Sequence, residues 1–163
     1  MMKVELYHAS KYGNGAMVAE EIRRLMAAHG DEVFIHHVND AEPKGLPTAD
    51  LFIFGSPTHF GKAPGNVVRF LKKLDLPPGT KYAVFATCSA ARPDRKTGRM
   101  PTEDELEKLR RTIPMMDEQL SAKGMKKLAE MKVFVQPEQM KGPLEEGWQE
   151  IVKTFVARVL EQT

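Results

Sequence analysis

The sequence predicts one three-layer α/β/α domain over residues 1–163, built around a five-stranded parallel sheet. Apolar residues switch repeatedly between strand-like and helix-like spacing, as expected when strands and helices alternate. The apolar run LFIF at 51–54 is typical of a strand buried on both faces. Five strands in a chain of this length favour the order 2-1-3-4-5 over the other common doubly wound order.

The first half of the chain is predicted to contain three strands and two helices. A β-rich run at 4–8 ends where the polar loop ASKYGNG begins, and helical spacing of apolar residues then extends over 16–29. Gly30 follows at the position of a C-terminal helix cap. The remaining elements of this half are a strand at 33–38, a strand from Leu51 and a helix at 66–74.

The second half begins with a fourth strand, KYAVFATC. Thr102 and Glu105 have the spacing of a capping box and indicate the start of a helix. Pro114 should interrupt that helix and occupy the first turn of the next one. The elements predicted in this half are the strand at 81–88, helices at 103–112 and 114–123, a fifth strand at 132–136 and a final helix at 144–160.

Composition excludes several classes of protein. The net charge of +2 is too small to indicate a nucleic-acid partner. No apolar run approaches the ~20 residues of a membrane helix, and the N-terminal segment, with Glu5, lacks the apolar stretch of a secretory signal. The single cysteine, Cys88, excludes an intramolecular disulfide and favours a reducing, cytoplasmic compartment. We therefore expect neither nucleic acid nor membrane among the partners.

Two polar loops mark the expected binding site. In the order 2-1-3-4-5, the loops after strands 1 and 3 flank the point where ligands bind. These loops are ASKYGNG and GSPTHFG, both rich in Gly, Ser or Thr. The first opens a helix whose leading N–H groups have no intrahelical acceptor, which favours an anion such as a phosphate.

The first loop resembles the phosphate loop of the flavodoxin family. The matching run extends from Leu6 to Gly15, with Ala19 closing the pattern. The resemblance implies a flavodoxin-like fold and a bound FMN, whose phosphate would lie in the loop of Ser10, Lys11, Tyr12, Gly13, Asn14 and Gly15. His8 replaces the usual aromatic residue, and Gly15 replaces a threonine. Loss of that hydroxyl should weaken phosphate binding by about 1 to 3 kcal/mol.

The other two loops resemble the flavin-contacting loops of flavodoxins and, in part, of the quinone-reductase branch. The second loop implies contact with the isoalloxazine ring by Ser56, Pro57, Thr58, His59, Phe60 and Gly61. Either Phe60 or His59 could stack on the ring. The third loop implies contacts by Thr87, Cys88, Ser89 and Arg92. It lacks the tyrosine or tryptophan that covers the ring in many carriers, so one face of the ring should be comparatively open.

No catalytic or metal-ligating residue is predicted. Adjacent residues on a strand point to opposite faces, so His36 and His37 cannot jointly hold a metal. Cys88, at the end of a buried strand, is interpreted as a small apolar core residue rather than a nucleophile. Between Ser89 and Met100 the chain carries four cations and one carboxylate. This segment is either a solvated loop or a landing site for an acidic redox partner or a nicotinamide phosphate.

Two function classes follow from these observations. The first is a flavodoxin-like FMN protein that carries electrons between redox partner proteins, with no catalytic residue of its own. The alternative is an enzyme, an NAD(P)H-dependent quinone or nitro-compound reductase that uses FMN. A phospho-acceptor domain of the same topology is disfavoured, because strand 1 ends in YHAS and strand 3 in GSP, without acidic residues. The oligomeric state stays open.

Overall fold

The computed structural model describes residues 1–137 and 141–163, which contain five strands and five α-helices. A short 3-10 turn, Val38–Asp40, follows the second strand. The strands are β1 (Lys3–His8), β2 (Glu32–His37), β3 (Leu51–Pro57), β4 (Lys81–Ser89) and β5 (Lys126–Val135). The helices are α1 (Asn14–Ala28), α2 (Gly65–Lys72), α3 (Glu103–Leu109), α4 (Thr112–Ser121) and α5 (Trp148–Glu161).

The strands form one parallel sheet in the order β2-β1-β3-β4-β5, which confirms the predicted fold class and strand order. Because all strands run the same way, their carboxyl ends meet at one edge, called here the carboxyl edge. Within residues 1–137 and 141–163, no helix has both the length and the hydropathy of a membrane-spanning segment.

Helices cover both faces of the sheet and give two apolar layers. α1 and α5 bury their apolar sides against one face, and α2 and α4 against the other. α3 differs from these four because none of its residues is buried. It therefore lies on the surface, outside both layers of the core.

Two element boundaries differ from the prediction by four residues or more. β5 begins at Lys126 and not at 132, because Ala129 and Met131 extend the alternation of buried residues along this edge strand. α5 begins at Trp148 and not at 144, because Leu144 forms an antiparallel bridge with Val135. Gly147, with φ of 89°, then turns the chain into the helix.

Candidate cofactor-binding site

Three loops meet at the carboxyl edge, after β1, β3 and β4. The first and second are joined by the Ala9 amide, which donates to the Gly55 carbonyl at 3.2 Å. The second and third are joined by Thr58, whose hydroxyl lies 3.4 Å from the Cys88 sulfur. The structure thus brings together the three loops that the sequence singled out.

The first loop forms a cradle at the start of α1. Gly13 has φ of 98°, a left-handed conformation that suits glycine, and its amide donates to Ser10 Oγ at 3.0 Å. Gly15 is already helical, and Asn14 and Gly15 are both buried. Within the described residues, no group accepts from the amides of Asn14, Gly15 or Ala16. These donors, at the positive end of the helix dipole, fit a phosphate.

Two histidines fix the cradle to the sheet. His8 Nδ1 accepts from the Ser10 amide at 3.1 Å, and His37 Nε2 donates to the Ser10 carbonyl at 3.2 Å. His37 Nδ1 accepts from the Asn39 amide, which determines the tautomer of this ring. Ser10 is therefore held at both of its backbone groups. The sequence interpretation missed this role of His37, because the two residues are 27 positions apart.

His8 remains neutral near pH 7. Burial lowers the pKa of His8 to about 4; neighbouring His37 adds to this effect and Glu20 opposes it. A neutral ring keeps Nδ1 free to accept from Ser10. Acidification would protonate that nitrogen and remove the acceptor.

We expect the lowered pKa of folded His8 to make the protein less stable in mild acid, because the unfolded chain then binds a proton that the folded chain does not. Unfolded His8 binds a proton near pH 6.5, whereas folded His8 does so only near pH 4. Stability is therefore lost as pH falls through this window, by about 2 kcal/mol between pH 7 and pH 5. Asparagine can accept the same hydrogen bond without titrating. Urea unfolding at both pH values should show a smaller loss for His8→Asn than for the parent, and equal losses would contradict the assignment.

The rim of the cradle is electropositive. Tyr12 is exposed, and its ring has Lys11 Nζ at 5.4 Å and Lys141 Nζ at 5.7 Å from its centroid. Loop residues 9–15 contain no carboxylate. Both lysines reinforce the preference of the helix start for an anion.

The second loop contains a tight turn with an exposed aromatic ring. The amides and carbonyls of His59 and Lys62 bond to each other at 2.8 and 3.1 Å. Between them, Phe60 has φ of 53° and Gly61 has φ of 79°. The Phe60 side chain is fully exposed. An exposed phenylalanine in the left-handed region stores strain without burying area, which is a feature of ligand-contacting loops.

The segment between α3 and α4 braces this turn. The Arg111 amide donates to the Gly61 carbonyl at 2.6 Å. A Cβ on Gly61 would lie 2.1 Å from the Leu109 carbonyl oxygen, so only glycine fits. Thr58 also shares a 2.8 Å hydrogen bond with Thr112 at the start of α4. No local pattern in the sequence indicated the contact between Leu109 and Gly61, because α3 has no buried residues.

Several residues that were predicted to contact the flavin are buried at the carboxyl edge. Ser56 is buried and its hydroxyl donates to the Pro57 carbonyl at 2.8 Å. Thr87 and Cys88 are buried, and burial raises the pKa of the Cys88 thiol, with Thr58 and nearby cations opposing it. A buried, protonated thiol agrees with a core residue and not with a nucleophile.

Two third-loop residues remain at the surface. Ser89 and Arg92 are exposed, and Arg92 donates to the Pro137 carbonyl at 3.4 Å. No group of three or more potential metal ligands occurs in the part of the chain that the structure describes. The accessible groups of the site are therefore the first-loop amides, the exposed turn and the third-loop rim.

Solved structures with this fold include several flavodoxins. Flavodoxin 2 from Bacillus cereus is 22% identical, with a TM-score of 0.73 and 99% of each chain covered. Oxidised flavodoxin 1 from the same organism is 20% identical, with a TM-score of 0.71 and the same coverage. Two-electron reduced Megasphaera elsdenii flavodoxin is 17% identical, with a TM-score of 0.64, covering 94% of this chain and 98% of that one. These similarities establish the fold.

The family assignment comes from the sequence. A family model described as a flavodoxin domain matches residues 6–136, most of the chain. No match was found among the curated proteins compared with it. The family match includes the first two loops and the third, and it confirms the predicted resemblance and the flavodoxin-like electron-transfer function. The chain belongs to the flavodoxin family.

Proposed function

We propose that this protein binds FMN at the carboxyl edge and carries electrons between redox partner proteins. The observation that carries the proposal is the cradle of free amides at the start of α1, which a phosphomonoester would fill. Bound FMN supplies the redox chemistry, because its ring system accepts and donates electrons. The role of the chain is to hold and surround it.

The phosphate is assigned to Ser10–Gly15 because donors and positive charge converge there. The amides of Asn14, Gly15 and Ala16 point out of the helix start, and Lys11 lies on the rim. The Ser10 hydroxyl already accepts from Gly13, so it can still donate its own proton to a phosphate oxygen. A neutral ligand would leave these amides without an acceptor.

The flavin ring is assigned to the space beside the second loop. The exposed Phe60 ring and His59 offer aromatic surface, and the brace from Arg111 holds the turn in place. The third loop contributes Ser89 and Arg92 but no large aromatic side chain. One ring face should therefore stay open to a partner, which suits a carrier.

Titration of the apoprotein with FMN, riboflavin and FAD tests this proposal. Riboflavin lacks the phosphate, and in FAD the phosphate is joined to a second phosphate by an anhydride bond, so both should bind at least about tenfold more weakly than FMN. Riboflavin binding as tightly as FMN would exclude the phosphate assignment. A carrier also predicts that anaerobic NADH and NADPH leave the bound flavin oxidised. Rapid bleaching by either nucleotide would identify a reductase instead.

Restoring the hydroxyl at position 15 should tighten FMN binding. Gly15 does not have positive φ, but a Cβ there would lie 3.2 Å from Ser10 Cβ, which is a tight contact. Gly15→Ala introduces that crowding alone, so it is the matched control for Gly15→Thr. The threonine variant should bind FMN more tightly than the alanine variant by about 1 kcal/mol, the value of one hydrogen bond. Equal dissociation constants would show that position 15 does not face the phosphate.

A further inference from the structure

Positive charge is concentrated at the carboxyl edge. The three loops at 9–13, 58–64 and 90–102 contain six cations and a single carboxylate, Asp94. The loops are thus five charges positive, whereas the whole chain is only +2, so the rest of the chain is net negative. The charge imbalance is a property of this edge and not of the protein as a whole.

Local bonds neutralise little of this charge. Arg99 pairs with Glu105 of α3 at 3.0 Å, so the charge of this third-loop cation is partly neutralised. Asp94 accepts from the amides of Lys96 and Thr97, so its carboxylate is bonded to backbone and not to a loop cation. Within residues 1–137 and 141–163, the other five loop cations form no salt bridge. We call these exposed residues the basic edge: Lys11, Lys62, Arg92, Arg95 and Lys96.

An exposed apolar side chain lies at the same edge. Leu109, at the end of α3, is 62% exposed, and its carbonyl packs against Gly61 in the second loop. It therefore neighbours the turn that carries Phe60. Apolar residues within a charged rim are the usual composition of a transient protein interface.

We propose that the basic edge is a docking surface for an acidic electron-transfer protein. This inference rests on the proposed function, because docking there brings a partner to the open side of the flavin site. A protein surface is favoured over a small anion because the five cations are spread over three loops. A single phosphate would contact only one of these loops. Complementary charge would steer the partner to this edge and raise the association rate.

Two cytochromes of opposite charge provide the test. Acidic cytochrome b5 should accept electrons from the reduced FMN protein quickly at low salt, and basic cytochrome c slowly. In each reaction one electron leaves the reduced flavin and converts the ferric haem to the ferrous form. For cytochrome b5 the second-order rate constant should fall by about tenfold or more as salt screens the charges. For cytochrome c it should rise with salt or stay level.

Two matched double variants test whether the reduction of cytochrome b5 depends on the charges of the basic edge. Arg95→Ala/Lys96→Ala removes two charges from the basic edge, and within the described residues neither side chain bonds to the cradle or the turn. Lys72→Ala/Lys73→Ala removes the same charge at the far end of α2, near the opposite edge of the sheet. Only the first pair should slow reduction of cytochrome b5 at low salt and flatten its salt dependence. Equal effects of both pairs, or the same salt dependence for both cytochromes, would overturn the proposal.

A binding measurement without flavin separates this inference from the proposed function. Adding cytochrome b5 to the ¹⁵N-labelled apoprotein should shift the amides of the second and third loops and of Leu109. If FMN fails to bind, the proposed function is wrong, but these shifts would still support the proposal that the basic edge is a docking surface. Shifts confined to the opposite edge, or shifts produced by NADPH and not by cytochrome b5, would overturn it.

Discussion

Gly55→Ala is expected to destabilise the protein by about 3 kcal/mol or more, because the core at this position is already full. Gly55 lies in the central strand β3, paired with Phe85 of β4. A Cβ on Gly55 would be 2.1 Å from Phe85 Cζ. The Phe85 ring is completely buried and cannot rotate away without displacing the layer formed by α1 and α5. Urea unfolding followed by circular dichroism measures the loss.

Two variants distinguish this clash from a general effect of replacing glycine. Gly45→Ala is the control, because its Cβ would meet only Glu42 Cγ at 3.8 Å, and it should change stability little. Phe85→Leu removes the ring, so adding Gly55→Ala to it should cost much less than in the parent. Full additivity of Gly55→Ala and Phe85→Leu would contradict the proposed clash.

Gly61→Ala is expected to weaken FMN binding by about tenfold or more, equivalent to ~1.4 kcal/mol, with a smaller loss of global stability. The new Cβ would collide with the Leu109 carbonyl, and both groups are fixed to backbone, so one loop must move. Movement would break the hydrogen bond from Arg111 and shift the turn that carries Phe60. The core should be spared because α3 has no buried residues. Flavin fluorescence titration measures the affinity.

Gly79→Ala controls for backbone strain. Gly79 also has positive φ, 86°, but a Cβ at this position would have no neighbouring atom within 4 Å, and the residue is outside the three loops. The variant should lose some stability and retain FMN affinity. If both variants bind FMN as the parent does, the contact with Leu109 is not what positions the turn.

The strands and their order in the sheet could be predicted because they follow from local patterns of apolar residues. Buried strands such as β3 are continuous apolar runs, and α1 has one apolar side and a glycine after its end. β5 was predicted too short because it is an edge strand. Its outer residues include Lys127 and Glu130, and these hide the alternation of buried residues in the sequence.

The site could be predicted only at the level of loops. Gly13 and Gly61 mark turns in the sequence, but nothing local indicates which distant backbone groups they contact. The bond from His37 to Ser10 and the contact between Leu109 and Gly61 both depend on tertiary packing. The resemblance assigned Ser56 and Cys88 to the flavin, and the structure shows that both residues are buried. Their assignment as direct ring contacts stays a prediction.

The surface position of α3 implies two separate opening processes in native-state hydrogen exchange. α3 is held by its capping box, by the pair of Arg99 and Glu105, and by contacts at its carboxyl end. Its amides should exchange through local detachment, whereas those of β3 and β4 should exchange only when the whole chain unfolds. Each detachment of α3 would break the contacts that hold Gly61 in the second loop. Cofactor retention on warming would then follow the free energy of this local opening and not the melting temperature of the sheet.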